Sequence, residues 1–350
     1  MTAATAPTGH VSFSAAIERA LDHAMATDPR VFVFGEDVEL TRRNQLARFG
    51  PARVRNTPIS EAAFVGAAVG AAMAGLRPIA ELWMVDFVTV ALDALLNHAA
   101  KVATFSGGAW HVPLVVRAPC GGGYGDAGQH EQALWGLLGG VPGLTVVVPS
   151  TPADAAGLLL SAVATDGPVV FLEHKLLAQD LLEPLGRGGR AGLEFDVPAA
   201  GAWGSVAAPP APVPLGVAAT RREGSDVTLV SVGVGVHRSL AAAEALASVG
   251  IDAGVLDLRT VAPLDTTAVL DAAGRTGAIV VVDEDYAHFG LSGEIAAVVA
   301  EAGVACRYAR VATAGTLPYA RDLEAAALPT VARIVAAGRE VVRQHSRVGR

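Results

Sequence analysis

TPISEAAFVGAAVGAAMAGLRPI, residues 57–79, sets one acid, Glu61, against a run of Ala, Gly, Val and Met that meets no further charge until Arg77. Ser60 is a residue type that caps helices, so the stretch predicts a helix starting at Glu61. Within it Gly66 and Gly70 share a face with Ala62, Ala67, Ala71 and Ala74, a surface small enough for another backbone or helix to approach closely. RPIAELWM, from Arg77, then reads as a strand without alternation. A helix joined to a strand buried on both sides is the repeating unit of a parallel sheet covered by helices.

Two effects act on Glu61 in opposite directions. A helix N-terminus favours the ionised acid by about 0.3–1 kcal/mol. Burial beside apolar side chains raises a carboxyl pKa by up to about 3–5 units. In a dry site burial wins and the acid becomes a poised proton partner. In a wet one it is an ordinary first-turn acid complementing the helix dipole.

The same alternation runs outward in both directions. Residues 11–29 read as an amphipathic helix with Phe13, Ile17, Ala20, Leu21 and Ala24 on one face, ended by Pro29. RVFVFGEDV is a buried strand, residues 40–56 are polar and irregular, and DFVTVALDALLNHAAKVATFSGG predicts one long helix. VPLVVRAPC, GLTVVVPS and PVVFLEHK are strands, with a helix over TPADAAGLLLSAVATDG between the last two. From Leu181 the pattern dissolves into Gly- and Pro-rich sequence, GRGGRAG and AAPPAPVP, and resumes near Asp226. The expected organisation is α/β with two doubly wound domains, 1–185 and 226–350, divided by a linker over 186–225.

With 52% hydrophobic and only 17% charged residues, the chain has more apolar material than one monomer needs to line its cores, which points to subunit interfaces. The net charge of −8 and the lack of a basic block exclude nucleic acid as a partner. No apolar stretch reaches the roughly 20 residues of a membrane span, and MTAATAPTGHVSF has neither the basic start nor the apolar core of a signal peptide. Cys120 and Cys306 stand in no metal-type spacing and read as free thiols of a reducing compartment, the cytoplasm.

RAPCGGGYGDAGQHEQALWG, residues 117–136, follows a strand with a cluster of glycines and then His130 and Glu131. Such a loop at the carboxyl end of a parallel sheet suits a ligand crevice, and reads equally well as a flexible loop with a solvated histidine. It is neither GxGxxG nor a Walker loop. GVGVH at 233–237 lacks the third glycine of a dinucleotide site and reads as a strand-to-helix turn. The acids of VVDEDYAHFGLSGEIAA, 281–297, have no metal-ligand spacing.

Taken in order, FGEDV, FGPARVRNTPISEAAFVGAAVGAAMAGLRPIAEL, DFVTVALDALLNHAAK, VPGLTVVVPSTPADAAGLL and PVVFLEHKLL resemble the β subunits of 2-oxo acid dehydrogenase E1 components. These are the pyruvate, branched-chain 2-oxo acid and acetoin dehydrogenases. REGSDVTLVSVG, VLDLRTVAPLD and VVVDED continue the resemblance through the second domain. It implies a transketolase-like fold with an N-terminal thiamin-pyrimidine-binding domain and a C-terminal transketolase-type domain. It further implies an α2β2 heterotetramer with an E1 α subunit, thiamin diphosphate as cofactor, and a small 2-oxo acid whose acyl group passes to the lipoyl group of an E2 acyltransferase. In this family Mg²⁺ and the diphosphate are held by the α chain through a GDG motif, and GDG is absent here. This chain is thus expected to hold half a cofactor site.

By the same resemblance, Glu61 matches the glutamate that hydrogen-bonds the pyrimidine nitrogen N1′. Phe87 matches the aromatic packed on that ring, and Ile59 and Trp83 match its apolar walls. His130, in GQHEQ, matches an active-site histidine that moves or stabilises charge during acyl transfer. The carbonyls of Leu114, Ala162, Val163, Thr165 and Gly167 match a K⁺ site. The chain departs from the family pattern at Glu131, where serine is usual, and at Gly140–Val141, where a histidine is common. An acid close to His130 raises the imidazole's pKa. Glu131 also favours a rival reading, a split transketolase-like enzyme that joins or cleaves C–C bonds without lipoate. A second rival is an inactive scaffold for an α partner.

Overall fold

The computed structural model describes residues 8–123, 125–178 and 202–348. In chain order the strands are β1 (Thr8–Ser12), β2 (Val31–Gly35), β3 (Val54–Asn56), β4 (Arg77–Glu81), β5 (Val115–Cys120), β6 (Thr145–Val147), β7 (Val169–His174), β8 (Trp203–Ala207), β9 (Ala219–Arg222), β10 (Val227–Ser231), β11 (Ala253–Asp257), β12 (Thr260–Ala262), β13 (Ala278–Tyr286) and β14 (Arg307–Thr313). One sheet runs β12-β6-β7-β5-β4-β2-β3 and a second β14-β13-β10-β11-β9. Every pairing among β2 to β7 is parallel, as are those of β10 with β11 and β13 and of β13 with β14.

The absence of alternation in these strands follows from burial on both faces. Val31, Val33, Val115, Val169 and Phe171 feed a core beneath the helices Phe13–Thr27 and Pro152–Ala164. Their neighbours Phe34, Val116, Val170 and Leu172 feed the opposite core, with Phe64, Val65 and Val69 of the Glu61–Met73 helix. That second core continues into Val230, Leu256, Ile279 and Val281 of the other sheet, so the two sheets share one hydrophobic interior. Each such side chain contributes roughly 1.5–3 kcal/mol by leaving water.

Three segments differ from the sequence expectation. Residues 40–56 are not irregular: they carry helices over Val38–Thr41 and Arg43–Phe49, then β3. Their polar side chains hold them to the first long helix. Arg42 pairs with Glu18, and the Gln45 amide donates to Glu18 at 2.7 Å and Asp22 at 3.0 Å. The long helix expected from Asp86 is broken into a 3₁₀ turn (Val85–Thr89), a π turn (Ala94–Ala99) and a short α segment (Val102–Phe105). Thr89 donates its hydroxyl to the Asp86 carbonyl at 2.9 Å, and the Ala100 amide reaches back to Leu95. This turns Val85, Val88, Ala91 and Leu95 inward. Finally, the described part of segment 186–225 bears β8, which pairs with β1, and β9, which edges the second sheet; residues 186–201 lie outside the described residues. No described helix is long and apolar enough to cross a membrane.

Polar contacts tie the two sheets together. The Trp135 indole donates to Asp283 at 2.9 Å, the Gly136 amide to Asp285 at 2.7 Å, and Ser150 to Asp257 at 2.5 Å. Asp283 is fully enclosed, and burial, then the charge of Asp285, push its carboxyl up to about 7. Replacing Trp135 by Phe removes a donor from this crowded acid pair. Urea denaturation should show a loss of about 1–3 kcal/mol, with the largest deficit above pH 7, where Asp283 is most ionised.

Candidate functional site

Parallel strands put their carboxyl ends at one edge of the sheet. Along the neighbouring strands β3-β2-β4-β5 that edge carries Ile59 and Glu61 after β3, Glu36 after β2, Trp83 and Phe87 after β4, and His130 after β5. Glu61 opens its helix as expected. Ser60, however, caps it only through its carbonyl, which accepts from the amides of Ala63 and Phe64; the hydroxyl makes no cap.

Glu61 is only 7% exposed and has no hydrogen bond or ion pair among the described residues. One side of its helix packs on the core through Phe64, Val65, Ala68 and Val69. The other side, Ala62, Ala63, Gly66, Ala67 and Gly70, faces out. A Cβ added to Gly66 or Gly70 would meet nothing within 4 Å. Ile59, next to this face, is 83% exposed. A buried unpaired acid therefore stands at the foot of a bare, flat, apolar surface.

Glu36 is the residue that the sequence reading missed. It is buried, with one carboxyl oxygen lacking a partner. Burial first, then the charges of Glu61 and Asp37, raise its pKa. The usable signal was the acid after a buried strand in FGEDV. Trp83 and Glu36 line a cavity of about 40 Å³ with Arg42, Glu81, Arg117 and Glu173. The charges beneath are compensated: Arg42 donates to Glu81 at 2.9 Å, Arg117 pairs with Glu81 and donates to Glu173 at 2.7 Å. Burial opposes ionisation of Glu81, but Arg117 and Arg42 outweigh it and hold the carboxyl low.

Phe87, on the 3₁₀ turn, meets His130 edge-on, with ring centroids 5.9 Å apart and planes at 86°. The Lys175 ammonium donates to the His130 carbonyl, and Gln132 next door donates to Asp86 at 2.8 Å. The glycine loop before His130 is already occupied by acids of this chain. The Gly122 amide donates to Glu284 at 2.6 Å, and those of Gly123 and Gly125 to Glu324 at 2.7 and 3.3 Å. Those amides are not available to cradle a phosphate. Glu284 is buried, which opposes its charge, yet His174 and Arg238 bring it down to about 2. Glu131 also differs from expectation: its interactions are with Glu324, Lys175 and the Asp126 backbone, and burial followed by Glu324 pushes it up to about 8. At neutral pH it carries its proton, so it is not an anion beside the histidine.

The carbonyls matched to a K⁺ site are largely committed within the chain. Leu114 accepts from the Val169 amide at 2.8 Å and Ala162 from that of Thr165 at 3.3 Å. Arg77 Nη1 donates to Val163 at 2.8 Å and Thr165 at 3.0 Å, and its Nη2 to Asp166 at 2.7 Å. The cation among these oxygens is the guanidinium. Arg77 thus places a positive charge against two of the five oxygens, which disfavours a second cation there. No group of three metal-ligating side chains occurs among the described residues.

Residues 9–180 match the transketolase pyrimidine-binding domain and residues 216–334 the transketolase C-terminal domain. The chain is 38% identical to the β subunit of acetoin:2,6-dichlorophenolindophenol oxidoreductase of Cupriavidus necator, over 95% of this chain and 98% of that one. It is 40% identical to the 2-oxoisovalerate dehydrogenase β subunit of Bacillus subtilis (83% and 84%), and 38% identical to the pyruvate dehydrogenase E1 β subunit of Rhizobium meliloti (96% and 71%). Among solved structures, an inactive β4 tetramer of a split-gene transketolase shares the fold, with a TM-score of 0.77 at 22% identity over 95% of this chain and 99% of that one.

Gly121 tests how firmly the histidine loop is seated. Its φ is +89°, and a Cβ there would lie 2.1 Å from the His174 ring nitrogen. Gly121→Ala should cost more than the roughly 1–3 kcal/mol of backbone strain alone, read as a fall in the urea midpoint.

Proposed function

Since the chain belongs to the family of 2-oxo acid dehydrogenase E1 β subunits, we propose that it is the β subunit of a thiamin diphosphate-dependent E1, an oxidoreductase that decarboxylates a 2-oxo acid and passes the acyl group to a lipoyl group on an E2 partner. The observation that carries this reading is the unpaired, buried Glu61 beside an exposed apolar face. Burying an acid without a partner is unfavourable, unless a ligand supplies the donor.

The residues present suit the cofactor's aminopyrimidine end. Ile59, Trp83 and Phe87 offer apolar and aromatic walls, and Glu61 a carboxylate to hold a proton at the ring nitrogen N1′. When bound, thiamin diphosphate supplies the electron sink for loss of CO₂. The chain's own contribution is to orient the ring, keep water from it, and set its basicity through Glu61, where low dielectric strengthens the hydrogen bond. Glu36, whose pKa is raised by burial and by the charge of Glu61, is a second acid nearby. His130, packed edge-on against Phe87, is placed to move a proton or stabilise charge on the substrate side.

Neither a GDG motif nor a cluster of metal ligands among the described residues accounts for the diphosphate and Mg²⁺. This supports an α partner that brings them, docked on the small-residue face in an α2β2 assembly. Relatives at 36–40% identity are named as E1 or acetoin-oxidising β subunits, which favours this reading over a lipoate-independent ligase or an inactive scaffold. The free thiols Cys120 and Cys306 support a reducing compartment, the cytoplasm.

Co-expressed with its α partner, the enzyme should decarboxylate pyruvate or a branched-chain 2-oxo acid, or cleave the C–C bond between the oxygenated carbons of acetoin. Glu61→Gln should lower kcat by about 10²–10⁴. Wild-type activity in that variant would sink the proposal. Calorimetry on the isolated chain should show weak or no binding of thiamin diphosphate with Mg²⁺, and tight binding there would refute the half-site.

A further inference from the structure

The loop that carries His130 is held by two acids that no family role explains. Glu131 is 1% exposed and Glu324, on the Arg321–Ala327 helix, is 2% exposed. Their carboxyl groups are close enough to share a hydrogen bond once one of them is protonated, and the Asp126 amide also donates to Glu131. Glu324 Oε1 accepts the amides of Gly123 and Gly125, so the first half of the loop hangs on the same oxygen. The far half is tied to the same region, with the Gly128 amide donating to the Leu317 carbonyl at 2.9 Å and the Gln129 side chain to the Tyr319 hydroxyl at 3.1 Å.

We infer that Glu131 is a positioning residue: its carboxyl, paired with that of Glu324, latches the loop 121–130 and thereby the His130 side chain against Phe87. The role of the latch in turnover rests on the function proposed above; the latch itself does not.

The proton belongs on Glu131. Two carboxylates in contact and out of water cannot both stay ionised, and burial followed by the Glu324 contact raises the Glu131 pKa despite the Asp126 amide, which favours the anion. The other charged and titratable groups around the pair do not replace the proton. Lys175, after β7, donates to the His130 carbonyl and lies among Asp86, Asp126 and Cys120 as well as Glu131. Arg321 approaches Glu324 from the solvent side at 3.8 Å. Lys175 lowers the Glu131 pKa, and burial with Glu324 outweighs it.

The sign of the pH effect follows from linkage. Closed, Glu131 keeps its proton until about pH 8; once opening exposes it, it titrates near its ordinary 4.5. The contribution of the latch is therefore complete below about pH 4.5 and is lost as pH rises through about 8. Between those limits each pH unit favours the open loop about tenfold, and the effect levels off above.

Hydrogen exchange followed by mass spectrometry on the full chain tests this, with intrinsic exchange rates divided out. In the wild type, protection of the 121–130 amides should fall about a hundredfold from pH 6 to 8 and then flatten. In Glu131→Gln, whose amide is a neutral donor to Glu324 at every pH, protection should be the same at pH 6 and 8. PH-independent protection in the wild type, or an equal loss in both proteins, would overturn the latch; the wild-type curve decides alone if the variant does not fold. With the α partner present, wild-type kcat should fall relative to Glu131→Gln as pH rises from 6 to 9, with KM for the 2-oxo acid unmoved. A chain that shows the exchange behaviour but turns over no 2-oxo acid would sink the proposed function and leave the latch. An active enzyme with pH-independent protection would sink the latch alone.

Discussion

A largely buried acid without a partner among the described residues is the constraint on which the proposed site depends. Glu61 sits at a helix start, where the macrodipole favours its charge, yet it is enclosed and makes no hydrogen bond or ion pair among the described residues. Nearby carboxylates that have partners show the contrast. Glu81 is as buried as Glu61 and is held ionised by two arginines. Glu284 is as buried and is held ionised by His174 and Arg238. The fold can supply compensating charges, and supplies none at Glu61. Glu36, one strand away, shares the deficit and feels the charge of Glu61.

Much of the frame was legible because burial on two faces leaves a plain mark. Runs such as VFVF and PVVFL lack alternation and became central parallel strands feeding separate cores. Glu61 was legible because a lone acid before an uncharged run is conspicuous. What stayed hidden depends on partners distant in sequence. The polar stretch 40–56 carries little apolar periodicity, and its helices are stabilised by Glu18 and Asp22 of another helix. The run from Asp86 has helical propensity throughout, but tertiary packing bends it into 3₁₀ and π turns, which brings Phe87 to His130.

The glycine loop shows the same limit at the site itself. Composition says that its amides are accessible; it cannot say to whom. The acceptors are Glu284 and Glu324, which lie more than a hundred residues away and belong to the second sheet and the helix beyond it. The second sheet and its helices thus shape the first sheet's active edge without forming it. Glu131 makes sense only in that setting. Beside His130 in sequence, it reads as a charge on the imidazole; in space it is an uncharged carboxyl bonded to the acid that holds the loop.

The exposed face of the Glu61–Met73 helix completes the physical case for a second polypeptide. Glycine inside a helix costs about 0.5–1 kcal/mol relative to alanine. At some helix positions that cost has an internal reason: a Cβ on Gly136 would strike the Gly290 backbone at 2.8 Å, and one on Gly157 the Ala211 carbonyl at 2.6 Å. Gly66 and Gly70 have none, since a Cβ on either would point into open space. Two adjacent turns of this helix thus present backbone without side chains on their outer face. A close approach by another backbone along the surface that ends at Glu61, as proposed for the α partner, would use the space that these missing side chains leave.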